Sequence, residues 1–298
     1  MKSIVTGGRG FIGSELIKRL LIEHNDDVIV IDNSSSNSKN NFEIEGAQYI
    51  NHDLNDFDKI LPVFKNADRV FHLAADVSID YCNKYPRQSG INNSNTTLNL
   101  LECCKINNIK KFIFSSTSAV YKEKETIKKY KESDEVYPQN TYSASKLFGE
   151  NLCKIYYELY CINTICLRYF NVYGSNLSIS PYSSVIVKLL EAKKNNATFY
   201  INGDGSQERD FVHVEDICKA NTMASTIDLS SYGEIFNVGC GESTTIKQIA
   251  EASGINAVNL PTRIGDIKYS CADISKLENT FKWKPENKIK NWLKNNLK

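Results

Sequence analysis

The chain has no excess of charge of either sign: 36 Lys and Arg stand against 35 Asp and Glu over 298 residues, a formal net charge of +1. A nucleic-acid-binding protein carries a basic excess, so no nucleic-acid partner is expected. No apolar run approaches the roughly 20 residues of a membrane-spanning helix, so no membrane partner is expected either. Met1-Lys2 leads directly into a strand-like run, which leaves no stretch for a secretory leader. There is no Cys-x-x-Cys pair, and nine cysteines is an odd number. That excludes a disulfide framework or zinc site as the expectation and favours reduced thiols in a cytoplasmic protein. Cys103, Cys104, Cys153 and Cys161 fall in helix-like segments, where they are expected as small buried apolar side chains. No internal repeat is visible, and the length suffices for one large core or two modest domains.

What is present begins at once. Ser3-Ile4-Val5-Thr6 runs into Gly7-Gly8-Arg9-Gly10-Phe11-Ile12-Gly13 and then into apolar residues at helical spacing, Leu16, Ile17, Leu20 and Leu21. This is the strand, glycine turn and helix of a mononucleotide-binding unit. Gly7, Gly10 and Gly13 allow a tight turn, a close approach to pyrophosphate and close packing of helix on strand, and the helix start offers unpaired N–H groups to phosphate. Glycines alone also serve ordinary turns. The pattern narrows at Val28-Ile29-Val30-Ile31-Asp32, a second strand ending in a carboxylate about 20 residues on, where a ribose diol is held. Asp32 repels a 2'-phosphate, and Asn33 to Ser38 contain no basic residue, so NAD is favoured over NADP.

Asn33 to Asn41 reads as a polar connection. Ala47 to Ile50 is a short strand with Asp53 and Leu54 beyond its end; Asp53 suits either the adenine amino group or the N-cap of the next turn. Arg69-Val70-Phe71-His72-Leu73-Ala74-Ala75 is a buried strand whose small terminal residues suit close approach to a nicotinamide ribose. Thr96 to Asn107 is an amphipathic helix with Leu98, Leu101 and Ile106 facing inward, and Lys111 to Thr117 is a strand with a hydroxyl-rich end. Strands alternating with helices imply right-handed crossovers and a parallel sheet. Lys122 to Lys131 is a charged segment, expected to be a solvated excursion. Tyr142-Ser143-Ala144-Ser145-Lys146 then opens a long helix through Leu147, Leu152, Ile155 and Leu159, with Tyr142 and Lys146 on one face as an acid/base candidate.

Thr6 to Gly13, Leu73-Ala74-Ala75, Ser116-Thr117, Tyr142-x-x-x-Lys146 and Arg168-Tyr169-Phe170-Asn171-Val172-Tyr173-Gly174 together resemble the extended short-chain dehydrogenase/reductase family of nucleotide-sugar epimerases and dehydratases. The likeness spans nearly the whole chain and keeps the order of the motifs. It implies an α/β fold with a Rossmann-type doubly wound parallel sheet from residues 1–170 plus 210–240. A smaller α/β substrate-binding lobe would comprise 171–209 plus 241–298. On the cofactor side it adds Phe11, Ile12, Asn33, Asn92 and Phe170 to the residues above. On the substrate side it assigns the diphosphate to Asn171 and Arg209, and phosphate and uridine ribose to Arg263 and Asp266, with Tyr200 and Ser270 also at the UDP-sugar. The chain departs from the family at Lys122, where glycine is usual, and at Thr96-Thr97 in place of Gly-Thr. The resemblance further implies a homodimer through the helices beginning near Thr96 and Tyr142, where Tyr156, Tyr157 and Tyr160 cluster, tyrosines that would equally suit the core.

The reaction implied is 4-epimerisation: Tyr142 takes the proton of the sugar 4-hydroxyl as C4 gives hydride to NAD, and a transient 4-keto sugar turns over and takes the hydride back. Thr117 holds the reacting hydroxyl and Lys146 holds the ribose and steadies the phenolate. Dehydratases of this kind carry Asp-Glu after the threonine, and decarboxylases tend to carry glutamate at the position of Ala119; this chain has Ser118-Ala119. A keto-sugar reductase would want NADPH, which Asp32 opposes, and a silent NAD-binding sensor would lack Tyr142. In related hexose epimerases the residue matching Ser270 flanks the sugar pocket, and a tyrosine there crowds a bulky C2 group. Ser270 leaves room for an N-acetyl group if Tyr269 does not fill the pocket instead. UDP-N-acetylglucosamine and UDP-N-acetylgalactosamine are therefore the expected pair, with UDP-glucose and UDP-galactose also admitted.

Overall fold

The computed structural model describes residues 1–35, 43–124, 128–175, 184–262 and 267–296. The first unit alternates strand and helix. β1 (Lys2–Thr6), α1 (Phe11–His24), β2 (Asp27–Ile31), β3 (Gln48–Ile50), α2 (Phe57–Ile60) and β4 (Arg69–His72) are followed by two short helices, α3 (Ile79–Lys84) and α4 (Pro86–Gly90). A π-helical turn, Ile91–Asn95, leads into α5 (Thr96–Ile106), then β5 (Lys111–Thr117), α6 (Thr141–Tyr160) and β6 (Asn163–Tyr169). The remainder comprises β7 (Asn171–Tyr173), α7 (Val185–Lys194), β8 (Phe199–Asn202), β9 (Glu208–His213), α8 (Val214–Thr226), β10 (Glu234–Val238), β11 (Ser243–Thr245), α9 (Ile246–Ser253), β12 (Ala257–Leu260), β13 (Tyr269–Ser270), α10 (Ser275–Phe281) and α11 (Ile289–Asn296).

Seven strands form one parallel sheet in the order β3-β2-β1-β4-β5-β6-β10. The direction of winding reverses between β1 and β4, and a crevice opens at the C-terminal strand ends there. Alternation along the strands builds two cores, as a sheet covered on both faces requires. Val5, Phe71 and Ile113 pack with Leu16, Ile17 and Leu20 of α1 and Ile217 of α8. Ile4, Val70 and Phe112 pack on the other face with Leu100 and Leu101 of α5 and Cys153 of α6.

A smaller sheet holds β11, β9 and β13, with β7 pairing to β9, and β8 pairs with β12 as a parallel ribbon. Its core gathers Tyr173, Leu189, Phe199, Phe211, Ile249 and Leu293. Of the expected 210–240 return, Asp210–His213 pairs within this smaller sheet, and α8 and β10 rejoin the large one.

Three expectations are corrected. Ile106 is 51% exposed; the inward face of α5 is Leu100, Leu101, Cys103 and Cys104 instead. Cys161 is exposed because it stands just past α6 with a left-handed φ of 55°. The 122–131 segment is not simply solvated, for Tyr130 is buried and stacks 4.9 Å from Tyr121. Tyr130 N also donates to Cys271 O at 2.8 Å, and Asp273 N donates back to Tyr130 O at 2.8 Å, which ties the excursion to the chain just after β13.

Candidate active site

A cleft of about 540 Å³ opens at the ends of β1, β2, β4 and β5. Gly7, Gly10, Phe11, Ile12 and Gly13 form one wall; Asp32, Asn33, Asp53 and Leu54 another; and Leu73, Ala74, Ala75 and Asn92 face them. The glycines have no room for side chains. A Cβ on Gly13 would lie 2.3 Å from Gly7 O, and one on Gly7, which adopts φ +70°, would lie 2.7 Å from Ala74 N. No side chain caps α1, so its first-turn donors are left for a ligand. These features fit a dinucleotide.

The carboxylate of Asp32 is fixed by Arg9 N at 3.0 Å and Ser34 N at 2.8 Å. Arg9, absent from the sequence argument because it precedes the strand, is the cation beside it. Its guanidinium pairs with Glu43 at 2.5 Å, donates to Asp32 O at 3.1 Å and lies 4.9 Å from the Tyr49 ring. Asp53 caps no helix: its carboxylate accepts from Asn55 N at 2.8 Å and Asn33 Nδ2 at 3.1 Å while lining the cleft.

Asn140 and Ser143 form a capping box that starts α6 just ahead of Tyr142. Tyr142 and Lys146 both line the cleft. Burial pushes the Tyr142 phenol up to about 12, and the neighbouring Thr117 side chain partly offsets that rise. Lys146 is buried with Nζ 4.9 Å from the Phe114 ring, and burial pushes it down to about 8, so it is an ammonium at neutral pH. His72 is held by Thr6 at 2.8 Å and Thr97 at 3.0 Å. Burial, reinforced by the Lys146 charge, lowers its pKa far below the usual value, so His72 is neutral and bridges strand to helix.

Phe170 is corrected. It packs with Tyr121, Tyr130 and Ala272, while Tyr169 lines the cleft in its place because successive strand residues face opposite sides. Asn171 opens β7 at the passage into the second lobe. Arg209 is half-buried on β9 and donates to Glu208 O at 2.9 Å. Ser270 is buried and is the register partner of Arg209, so the two share a sheet face. Tyr269 is the register partner of Glu208 and so faces the opposite side of the sheet from Ser270. Tyr200 is 59% exposed on β8. Arg263 and Asp266 lie outside the described residues.

The cleft also takes in Asp76, Ser184 and Val187, which the sequence did not mark, and Thr96, which it marked only as a departure from the family pattern. Asp76 follows the Leu73–Ala75 run directly, and Asn92 Nδ2 donates to its carboxylate at 2.9 Å. Thr96 stands where the family usually has glycine; Ser184 and Val187 come from the start of α7 in the second lobe, for which the sequence held no signal.

Sheet, glycine cradle and Tyr-x-x-x-Lys pair together define a nicotinamide-dinucleotide enzyme. Residues 3–239 match the NAD dependent epimerase/dehydratase family, and the chain belongs to it. Among solved structures, the UDP-N-acetylglucosamine 4-epimerase from Methanobrevibacter ruminantium M1, in complex with UDP-N-acetylmuramic acid, is similar at TM-score 0.91 and 38% identity, covering 99% of this chain and 96% of that one. The UDP-glucose 4-epimerase of Thermotoga maritima, with UDP-glucose, gives 0.92 and 32% over 99% and 96%. The Thermus thermophilus UDP-glucose 4-epimerase complex with NAD gives 0.88 and 29% over 99% and 97%. Among the described residues no helix is long and apolar enough to cross a membrane.

Proposed function

We propose that this chain is a cytoplasmic, homodimeric UDP-sugar 4-epimerase whose preferred pair is UDP-N-acetylglucosamine and UDP-N-acetylgalactosamine, with UDP-glucose and UDP-galactose also accepted. The observation that carries the reaction class is the pair of Tyr142 and Lys146 on the cleft wall, one helical turn apart, with Thr117 neighbouring the phenol and Ser118-Ala119 following it. Bound NAD supplies a reversible hydride acceptor and, when oxidised, a positive charge.

The protein's own part is the proton. Ionising a phenol with a pKa near 12 at pH 7 costs about 7 kcal/mol. Tyr142 therefore acts as a base only with nearby positive charge, and the Lys146 ammonium is the residue that provides it. Thr117, neighbouring the phenol, orients the sugar 4-hydroxyl toward Tyr142. With no carboxylate at 118 or 119, nothing in that segment removes a C5 proton or expels water, so the set suits exchange at C4 alone.

The N-acetyl preference is supported by the shared face of Ser270 and Arg209 and by the opposite face of Tyr269. A serine beside the phosphate-binding arginine leaves the volume that a tyrosine would fill. Free thiols at all nine cysteines are consistent with a reducing compartment.

The test is turnover of both substrate pairs by enzyme as purified, with no added NAD. The N-acetylated pair should be turned over, and Ser270→Tyr should depress it more than the plain hexose pair. Turnover of UDP-glucose and UDP-galactose alone would overturn the preference, and dependence on added NADPH would overturn the reaction class.

A further inference from the structure

The spacing of Tyr142 and Lys146 continues along α6 to Glu150, so the three side chains stand at i, i+4 and i+8 of one helix. Glu150 is buried against two strands. Arg168 of β6 donates from Nε to Glu150 Oε1 at 2.8 Å and from Nη2 to Oε2 at 2.7 Å, a two-point pairing of fork and carboxylate. Ser116 of β5 donates its hydroxyl to the same Oε1 at 2.5 Å. Ser116 and Arg168 are register partners, and the next pair along the two strands is Thr117 and Tyr169. The helix is thus gripped one residue before β5 reaches Thr117. The guanidinium also lies 4.6 Å from the Tyr121 ring, so it braces the chain after Thr117 as well as before it.

A buried ion pair is weak grounds for stability, because apolar residues of similar volume often serve as well. Two parallel hydrogen bonds supply something an apolar contact does not: they fix the helix both along its axis and in rotation. Position matters here, since misplacing a reacting group by 1 Å can cost roughly 10²-fold in rate. We infer that Arg168, Glu150 and Ser116 are positioning residues. They lock α6 onto β5 so that Tyr142 on the helix and Thr117 on the strand keep a fixed relative position during proton transfer. The inference rests on the epimerase reading, which turnover by the wild type tests on its own; ratios between variants test the positioning.

The experiment compares wild type, Ser116→Ala and the double variant Glu150→Gln with Arg168→Met, measuring kcat, KM, melting temperature and retained NAD. The double variant removes both buried charges together, so melting temperature and NAD content should return close to wild type, while kcat falls about tenfold or more at nearly unchanged KM. Ser116→Ala removes one hydroxyl and should lower kcat by a smaller factor with KM unchanged, which keeps the test decisive should the double variant fail to fold. Wild-type kcat in Ser116→Ala, or recovery of kcat together with stability in the double variant, would overturn the inference.

Discussion

At the scale of single residues, the proposed chemistry rests on a lysine held where it costs stability. Burial depresses Lys146 from its ordinary 10.5 to about 8. The folded state therefore disfavours the ammonium, and the penalty is fully present below pH 8 and relieved as pH rises from about 8 toward 10.5. The shift corresponds to roughly 3 kcal/mol. Lys146→Met, close in shape and uncharged, should melt higher than wild type at pH 7 in NAD-free protein, with the gap closing as pH approaches 10. Turnover should be lost at every pH. Melting curves across that range check it; a variant that melts below wild type at pH 7 would show that the ammonium finds compensation in the fold. The residues whose place at the cleft was legible in the sequence were those marked by type and spacing, as with Tyr142, Lys146 and Asp32. Those missed depend on which side of a strand faces the cleft: Phe170 and Tyr169 are adjacent, and only the pleat decides between them.

At the scale of elements, order and parallel pairing could be read because each β-α step in the first 170 residues carries its own periodicity. The glycine turn was equally legible, and it yields a sharp expectation. In Gly13→Ala the new Cβ would meet Gly7 O at 2.3 Å and Gly8 Cα at 2.7 Å, both backbone, so nothing flexible can yield. The start of α1 must move away from the turn. Overpacking of this kind costs about 1–3 kcal/mol, and the displaced donors should no longer hold pyrophosphate. Purified Gly13→Ala should be largely free of NAD and melt lower, measured by cofactor content and thermal unfolding; full NAD content would contradict the cradle. The second lobe was less legible because its strands are short and pair out of order. β9 bonds to β7, β11 and β13, contacts that span up to about a fifth of the chain and leave no local pattern. The 122–131 excursion misled for a related reason: its lysines and glutamates look solvated, while Tyr130 O accepts from Asn237 Nδ2, 107 residues away.

At the scale of the whole molecule, α6 has two working faces. Ser143, Lys146, Gly149, Glu150, Cys153 and Tyr156 turn inward. The stripe at Phe148, Ile155 and Leu159 turns outward, with Ile155 43% and Leu159 66% exposed, and Ile106 on the adjacent α5 is exposed as well. Isolated exposed apolar residues are ordinary, but a stripe at i, i+7 and i+11 along one helix is the pattern of a packed face. The two helices form a firm platform, since Tyr156 donates to Glu102 of α5 and Lys105 lies over the Tyr160 ring at 4.8 Å. The proposed homodimer would cover this surface, because two-fold symmetry would bring identical apolar stripes together and make a four-helix contact from two helices of each chain. Wild type should then scatter light as twice the 33.7 kDa of one chain. Ile155→Lys with Leu159→Lys changes only outward side chains, so folding should be little affected. Buried like charges across the two-fold axis should break the pair, giving a single-chain mass with retained NAD. A wild type of 33.7 kDa at micromolar concentration would refute the dimer. A charged double variant that still pairs would move the interface elsewhere and leave the outward stripe without a role.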